Sequence, residues 1–204
     1  MTMQEGAIDA AKRFFSMPSE EKYVLNIKNQ VGFQGYEPFC TQSYSPDNLP
    51  DMKESFFVGQ DIPLDDSRVE EQRLLTGPIV WPSSLPACSF KEPVEEYYDA
   101  LRGLTLRILM MIARGLPYGD DVFSEFISNN PAAPMRLLYY PPQEPNCDKW
   151  QLGASAHTDF GAITLLLQDD NEGLQVYNAQ TYSWSTVPPR KDAFVVNVGD
   201  MLEK

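Results

Sequence analysis

The stretch GASAHTDFGAITLLLQDD, residues 153 to 170, contains the only histidine of the 204-residue chain. His157 and Asp159 are separated by one residue, and a strongly apolar run follows them. In an extended segment the side chains of residues i and i+2 point to the same side of the backbone. If this segment is a strand, we expect His157 and Asp159 to project together and to offer a metal ion one imidazole nitrogen and one carboxylate oxygen.

These two donors make up two thirds of the two-histidine, one-carboxylate set that holds non-haem Fe(II) and leaves positions open for oxygen and substrate. A lone His-x-Asp also occurs by chance in proteins without a metal. In that case His157 is a surface or capping histidine, and Asp159 is a turn residue ahead of Phe160 and Gly161. The motif alone leaves both interpretations open, so its surroundings have to decide between them.

The surroundings of the motif favour antiparallel strands. Short apolar segments separated by turn residues recur about every ten residues beyond position 134, a pattern typical of a sandwich or barrel. The predicted strands are MRLLYY (135–140), AITLLLQ (162–168), GLQVYN (173–178), YSWSTV (182–187) and AFVVNVGD (193–200).

Helical patterns dominate the earlier part of the chain. Apolar residues at helical spacing predict helices over about 5–16 and 93–116, and a shorter helix within 119–130. ESFFVG (54–59) is a strand candidate, and the Pro-, Asp- and Ser-rich segment 61–93 is predicted to be mostly loop. The expected fold class is therefore mainly β with flanking helices, an α+β chain.

Charge and cysteine usage limit the class of protein. The net charge of -13 argues against nucleic acid or an anionic membrane as the main partner. Three cysteines without a Cys-x-x-Cys pair argue against a disulfide framework and for a reducing compartment. No run approaches the roughly 20 apolar residues that a membrane-spanning helix needs. These features predict a cytoplasmic protein that binds neither nucleic acid nor membrane.

Several motifs together resemble one family. The segment from MRLLYYPP through GASAHTDFGAITLLLQDD to NVGDMLE is similar to the Fe(II)/2-oxoglutarate-dependent dioxygenases of the isopenicillin N synthase-like superfamily. The earlier motifs resemble the N-terminal region of that family in the same order. They are FFSMPSEEKY, GFQGYEP, KESFFVGQDIP, GPIVWPSSLP and VEEYYDALRGLTLRIL.

The resemblance implies an incomplete double-stranded β-helix (jelly roll) packed against an N-terminal helical region. It assigns residues 1–132 to the N-terminal dioxygenase region and 133–204 to the partial catalytic core. His157 and Asp159 match the first two iron ligands, and Tyr140 matches the tyrosine that contacts the carboxylate end of 2-oxoglutarate. Leu138 stands where many plant members carry Asn.

The activity implied is that of an oxidoreductase with Fe(2+) as cofactor and 2-oxoglutarate as co-substrate. Such an enzyme oxidises a small organic metabolite with O2 while 2-oxoglutarate is decarboxylated to succinate. The partners implied are therefore a small-molecule substrate and O2. Neither the identity of the substrate nor the oligomeric state follows from the resemblance.

The chain also departs from the family pattern. Family members carry a second histidine ligand and an Arg-x-Ser pair beyond the NVGDMLE segment, and this chain has no second histidine. We therefore expect a chain shortened at both ends, and the alternative to an enzyme is a non-catalytic remnant. Glu203 and Cys147 are weaker metal-ligand candidates, interpreted as a solvated residue and a loop thiol. Ser155 suggests a hydrolase triad with His157 and Asp159, for which the spacing is poor.

Overall fold

The computed structural model describes residues 2–44, 49–148 and 150–203, and its elements follow the predicted order. The helices are α1 Met3–Phe15, α2 Ser19–Tyr23, α3 Ser67–Glu70, α4 Lys91–Gly115, α5 Ser124–Ser128 and α6 Asp200–Glu203, with 3-10 turns at Ile27–Asn29, Val31–Phe33 and Ala87–Ser89. The strands are β1 Gly35–Glu37, β2 Glu54–Val58, β3 Met135–Tyr139, β4 Ile163–Leu166, β5 Gln175–Asn178, β6 Ser183–Thr186 and β7 Val195–Val198.

The helix ends follow local chemistry. α1 begins two residues earlier than predicted because Thr2 and Glu5 form a capping box, in which each side chain accepts a hydrogen bond from the other residue's backbone N–H. α4 ends at Gly115, just before Pro117, close to the predicted position. The segment predicted to be loop is mostly irregular ahead of Lys91, where α4 begins. It contains short helical turns such as α3, which Asp66 caps by accepting from the Arg68 N–H at 2.9 Å.

The contacts divide the described chain into two compact units, Met1–Ala156 and His157–Lys204. The first unit contains an antiparallel sheet in the order β1-β2-β3, in which Tyr36 lies opposite Phe56 and Phe56 opposite Leu137. β3 follows residue 132 in the chain, yet it completes a sheet with two strands that precede residue 132. That sheet also positions Tyr140, which directly follows β3.

The core of the first unit is a cluster of aromatic rings. Phe14 of α1 is completely buried. Its ring centroid lies 4.7 Å from that of Phe56 on β2, 5.0 Å from Phe90 ahead of α4, and 5.9 Å from Tyr36 on β1. Aromatic pairs at these distances add to the stabilisation that burial provides. Phe14 therefore joins α1, the sheet and the start of α4.

A buried ion pair lies beside this core. Lys22 of α2 donates to both carboxylate oxygens of Glu54 at 2.8 and 2.9 Å, and to the carbonyl of Phe15 at 3.1 Å. Tyr36 also donates its hydroxyl to Glu54, and burial together with this carboxylate raises the pKa of Tyr36. The charge of Glu54 is therefore well compensated. Removal of one partner leaves a buried charge unpaired, and the resulting loss of stability is larger than the net stabilisation that the intact pair provides.

The second unit contains two antiparallel strand pairs and one short helix. β4 pairs with β7, and β5 pairs with β6 as a hairpin. α6 begins at Asp200, two residues after β7 ends. All five strands predicted beyond residue 134 are thus present. In the parts of the chain that the structure describes, every strand pair is antiparallel.

The fold is a mixture of helix and sheet, as predicted, but the strands are shorter than expected. The longest of them have five residues, whereas α4, close to its predicted length, has 25. None of the helices in the described residues is long and apolar enough to cross a bilayer.

Candidate metal centre

The segment that carries His157 and Asp159 is not a strand, so the condition under which the two side chains were expected to project together is not met. β4 begins only at Ile163. The preceding residues are instead tied to the corner between β7 and α6, where the N–H groups of Gly199 and Asp200 donate to the carbonyls of Ala162 at 2.9 Å and Asp159 at 2.8 Å. The backbone is held by these bonds and not by a strand ladder. Sequence alternation alone cannot reveal such an arrangement.

The two side chains nevertheless lie side by side. Nε2 of His157 is 3.6 Å from Oδ1 of Asp159, and the side chains are 31% and 30% exposed, respectively. Both side chains are thus partly shielded from solvent, and each keeps part of its surface accessible. The structure brings together the two residues that the sequence predicts as metal ligands, although by a turn in place of a strand.

Asp159 is held by two polar residues of the neighbouring strands. Asn197 of β7 donates its Nδ2 to Oδ2 of Asp159 at 2.8 Å. The hydroxyl of Thr164 on β4, directly opposite Asn197, lies near the same carboxylate. Burial alone would raise the pKa of Asp159, but the hydroxyl of Thr164, the amide of Asn197 and the neighbouring His157 lower it below its usual value. The carboxylate is therefore ionised at neutral pH, as a metal ligand must be.

Gly199 permits the backbone to pass close beneath the motif. A Cβ at this position would lie 2.2 Å from the carbonyl oxygen of Gly161 and 2.8 Å from that of Asp159. Neither oxygen belongs to a flexible side chain, so a larger residue has to displace the loop. Beside it, Thr158 donates its hydroxyl to Asp200 at 3.2 Å. Gly199 and Asp200 thus support the loop that carries both predicted ligands.

Replacement of Gly199 by alanine is expected to push this loop away. We expect a loss of roughly 1–3 kcal/mol in the free energy of unfolding, as for other overpacked sites, together with weaker divalent-metal binding. Gly173→Ala is the matched control, because a Cβ at Gly173 meets no atom within 4 Å. Urea unfolding and metal titration of both variants check the expectation. Equal free energies of unfolding and equal metal affinities of the two variants would show that the close backbone approach at Gly199 affects neither stability nor metal binding.

The two predicted ligands suit a divalent metal, but they make up only part of a ligand set. Two bonds of about 2.1 Å, typical of a divalent metal with nitrogen or oxygen ligands, can bridge atoms that are 3.6 Å apart. An imidazole with one ionised carboxylate suits Fe(II). Among the described residues no group of three or more His, Cys, Asp or Glu side chains could hold a metal. Within them the two predicted ligands lie side by side, and the chain has no second imidazole to add.

Tyr140, the predicted 2-oxoglutarate contact, belongs to the first unit. It follows the last residue of β3, and its ring lies against the backbone of Gly153, where an added Cβ would be 3.1 Å from Cδ1 of Tyr140. Desolvation raises the pKa of its phenol, and the positive charge of Arg136 opposes only part of that effect. Tyr140 therefore keeps its proton and can donate a hydrogen bond to a carboxylate.

The weaker candidates have other roles. Ser155 is buried and donates its hydroxyl to Oδ1 of Asp51 at 2.7 Å, so it is not positioned as a nucleophile for His157. Cys147 is an exposed free thiol, and Glu203 is an exposed residue of α6. The arrangement needed for a hydrolase triad is absent from these described residues.

Asn197 and Thr164 were not predicted as functional residues. Both are polar residues within the otherwise apolar strands VVNV and ITLL. Thr164 is half-buried and Asn197 is exposed, so burial does not account for both, but a polar residue in an otherwise apolar strand is a usable signal of a polar partner. Here the shared partner is the carboxylate of Asp159.

Comparison with family models identifies two matching regions. Residues 131–203 match the 2OG-Fe(II) oxygenase superfamily. Residues 1–84 match the model described as non-haem dioxygenase in morphine synthesis N-terminal. The order of the two regions is that expected from the sequence motifs.

Known relatives agree with these matches. The chain is 52% identical over 206 residues to the 2-oxoglutarate-dependent dioxygenase citB of Monascus ruber, covering 99% of this chain and 62% of that protein. It is 41% identical over 214 residues to the clavatol oxidase claD of Penicillium crustosum, covering 99% of this chain and 63% of that protein. The chain thus spans about three fifths of the length of these relatives.

A solved structure shows the same likeness. The crystal structure of a 2OG-Fe(II) oxygenase family protein from Caulobacter crescentus superposes with a TM-score of 0.78 at 33% identity. The match covers 98% of this chain and 62% of that chain. The arrangement of helices and antiparallel strands described above is therefore one that a solved member of this family shares.

Proposed function

We propose, from the premise that the chain belongs to the 2OG-Fe(II) oxygenase superfamily, that it carries two iron ligands and part of the co-substrate site of a dioxygenase. In the proposed reaction one oxygen atom of O2 enters succinate as 2-oxoglutarate loses CO2. The other atom oxidises a small organic substrate. The antiparallel strands then form part of a double-stranded β-helix, which the likeness to a solved oxygenase supports.

The observation that carries the proposal is the geometry at the motif. His157 Nε2 and Asp159 Oδ1 are 3.6 Å apart in a loop that Asn197 and Gly199 support. A bound Fe(II) would supply the oxygen-activating redox chemistry. His157 would present a neutral nitrogen to it and Asp159 an ionised oxygen. Tyr140 would donate its hydroxyl hydrogen to the carboxylate of 2-oxoglutarate, since its phenol stays protonated.

A small organic substrate is favoured over a macromolecule. The net charge of -13 disfavours nucleic acid. A solved neighbour from Neurospora crassa, 26% identical to this chain, was crystallised with alpha-KG and thymine. We infer a cytoplasmic location, which the three free cysteines support.

The proposal is tested by metal-dependent succinate formation. The protein is incubated with Fe(II), 2-oxoglutarate and O2, and succinate is measured with and without a panel of small aromatic and heterocyclic compounds. We expect succinate release that requires Fe(II) and that is absent in His157→Ala. Succinate release that is no greater than in the His157→Ala protein would contradict catalysis by this chain.

A second candidate is a non-catalytic role. It is favoured by the single histidine of the sequence and by the absence of a three-residue metal-binding group among the residues described. A protein of this kind binds metal weakly and forms no succinate. The same assay separates the two candidates when metal binding is measured alongside turnover.

A further inference from the structure

A buried charge cluster lies on the chain just ahead of the predicted metal ligands. We define the Asp51 cluster as Asp51, Lys53 and Ser155, all of which are buried. Oδ1 of Asp51 accepts from the N–H of Ser155 at 2.8 Å and from its hydroxyl at 2.7 Å. Oδ2 accepts from Nζ of Lys53 at 2.6 Å. Three donors therefore converge on one carboxylate.

Further bonds join the same two segments. The N–H of Met52 donates to the carbonyl of Leu152 at 2.8 Å, and the amide of Gln151 donates to the carbonyl of Pro50 at 2.5 Å. Residues 50–53 therefore run beside residues 151–155, although about 100 positions separate them in the sequence. The Asp51 cluster is the last of these ties before His157.

Ser155 is more deeply buried than its neighbours in the sequence. From residue 150 to residue 162, all of them described, only Ser155 is buried. Apolar packing therefore does not fix this stretch. The two hydrogen bonds to Asp51 restrain both the backbone and the side chain of Ser155, two residues before His157.

A buried ion pair is a poor means of increasing stability, because desolvation offsets much of the attraction. Such pairs can instead enforce one particular arrangement. In this chain the arrangement enforced is that of the backbone leading into the metal-binding motif. A ligand pair needs support of this kind, since metal affinity depends on geometry that is fixed before the ion arrives.

We propose that Asp51 is a positioning residue, which holds Ser155 so that His157 enters the metal-binding loop with a restricted backbone. This inference rests on the proposed function for the role of His157. The anchoring of Ser155 can be tested independently of any metal.

The matched pair of variants is Asp51→Asn and Glu54→Gln. Each removes the charge of a buried carboxylate bonded to a buried lysine, Lys53 in one case and Lys22 in the other. Only Asp51 is bonded to the segment ahead of His157. Ser155→Ala is the milder third variant, because it removes the hydroxyl and keeps the N–H bond to Asp51.

The first measurement is amide hydrogen exchange of residues 153–159 without metal. We expect exchange at residues 153–159 to be raised above that of the rest of the chain in Asp51→Asn and Ser155→Ala. Glu54→Gln also disrupts a buried pair, but we expect it to raise exchange at these residues no more than elsewhere. The second measurement is the affinity for Co(II), followed by its visible absorption. We expect about tenfold weaker binding in Asp51→Asn, the lower end of what supporting residues contribute, and unchanged binding in Glu54→Gln.

The outcomes separate the two proposals. Unchanged exchange in both Asp51→Asn and Ser155→Ala overturns the positioning role, and so does equal loss of Co(II) affinity in Asp51→Asn and Glu54→Gln. Co(II) binding by the wild type that does not depend on His157 overturns the proposed metal site instead. In that case the exchange data alone decide whether Asp51 anchors the segment. If Asp51→Asn fails to fold, Ser155→Ala supplies both measurements.

Discussion

Replacement of His157 by alanine is expected to lower the affinity for Fe(II) or Co(II) at least about 100-fold. Loss of a residue that merely supports a metal ligand already weakens binding by roughly 10- to 100-fold, and His157 is predicted to be a ligand itself. The chain has no other imidazole to substitute for it. The effect should therefore exceed that of any variant of a supporting residue, including Gly199→Ala.

The measurement has to exclude unspecific binding, because a chain with a net charge of -13 attracts cations. Competitive titration against a chelator at moderate salt, followed by Co(II) absorption, distinguishes a coordinated ion from a loosely held one. Asp170→Asn serves as the control, since it removes an exposed carboxylate of the same unit. Equal Co(II) affinity in wild type, His157→Ala and Asp170→Asn would contradict the assignment of His157.

Replacement of Phe14 by alanine is expected to reduce the free energy of unfolding by about 3–5 kcal/mol, as for other buried aromatic residues. Phe14 is completely buried and its ring contacts those of Phe56 and Phe90. The cavity would open where α1, the sheet and the start of α4 meet, and none of these can close it alone. A loss of this size is a large fraction of the stability of an ordinary domain.

Urea unfolding followed by tryptophan fluorescence measures this loss. Phe126→Ala is the control, because Phe126 lies in the short helix α5 and is 36% exposed. We expect that variant to change the free energy of unfolding by less than about 1 kcal/mol. A similar change in both variants would mean that the aromatic cluster does not hold the first unit together.

The positions of the strands along the chain were predictable from the sequence, because turn residues separate the apolar segments. The same kind of signal placed α4 to within a few residues, since Pro93 lies in its first turn and Gly115 is its last residue. The loop at His157 was not predictable in the same way. Its conformation depends on bonds from Gly199 and Asp200, which come from a corner some 40 residues later in the chain.

The residues that support the site also could not be predicted from the sequence. Nothing in the local pattern around Asp51 indicates that its carboxylate binds Ser155. Asn197 is a partial exception, because a polar residue in an apolar strand suggests a polar partner. Local chemistry thus identified the two candidate ligands, whereas the groups that hold them became visible only through contacts distant in sequence.

His157 and Asp159 are proposed to bind one metal ion together. The single histidine makes a direct test possible, since a protein labelled with 15N at histidine gives the signals of one imidazole only. On titration with Zn(II), we expect the Nε2 resonance to move to a metal-bound position and to saturate at one equivalent, and we expect Asp159→Ala to abolish saturation in this range. An imidazole resonance that stays unchanged with excess Zn(II), or that saturates equally in Asp159→Ala, would contradict the claim.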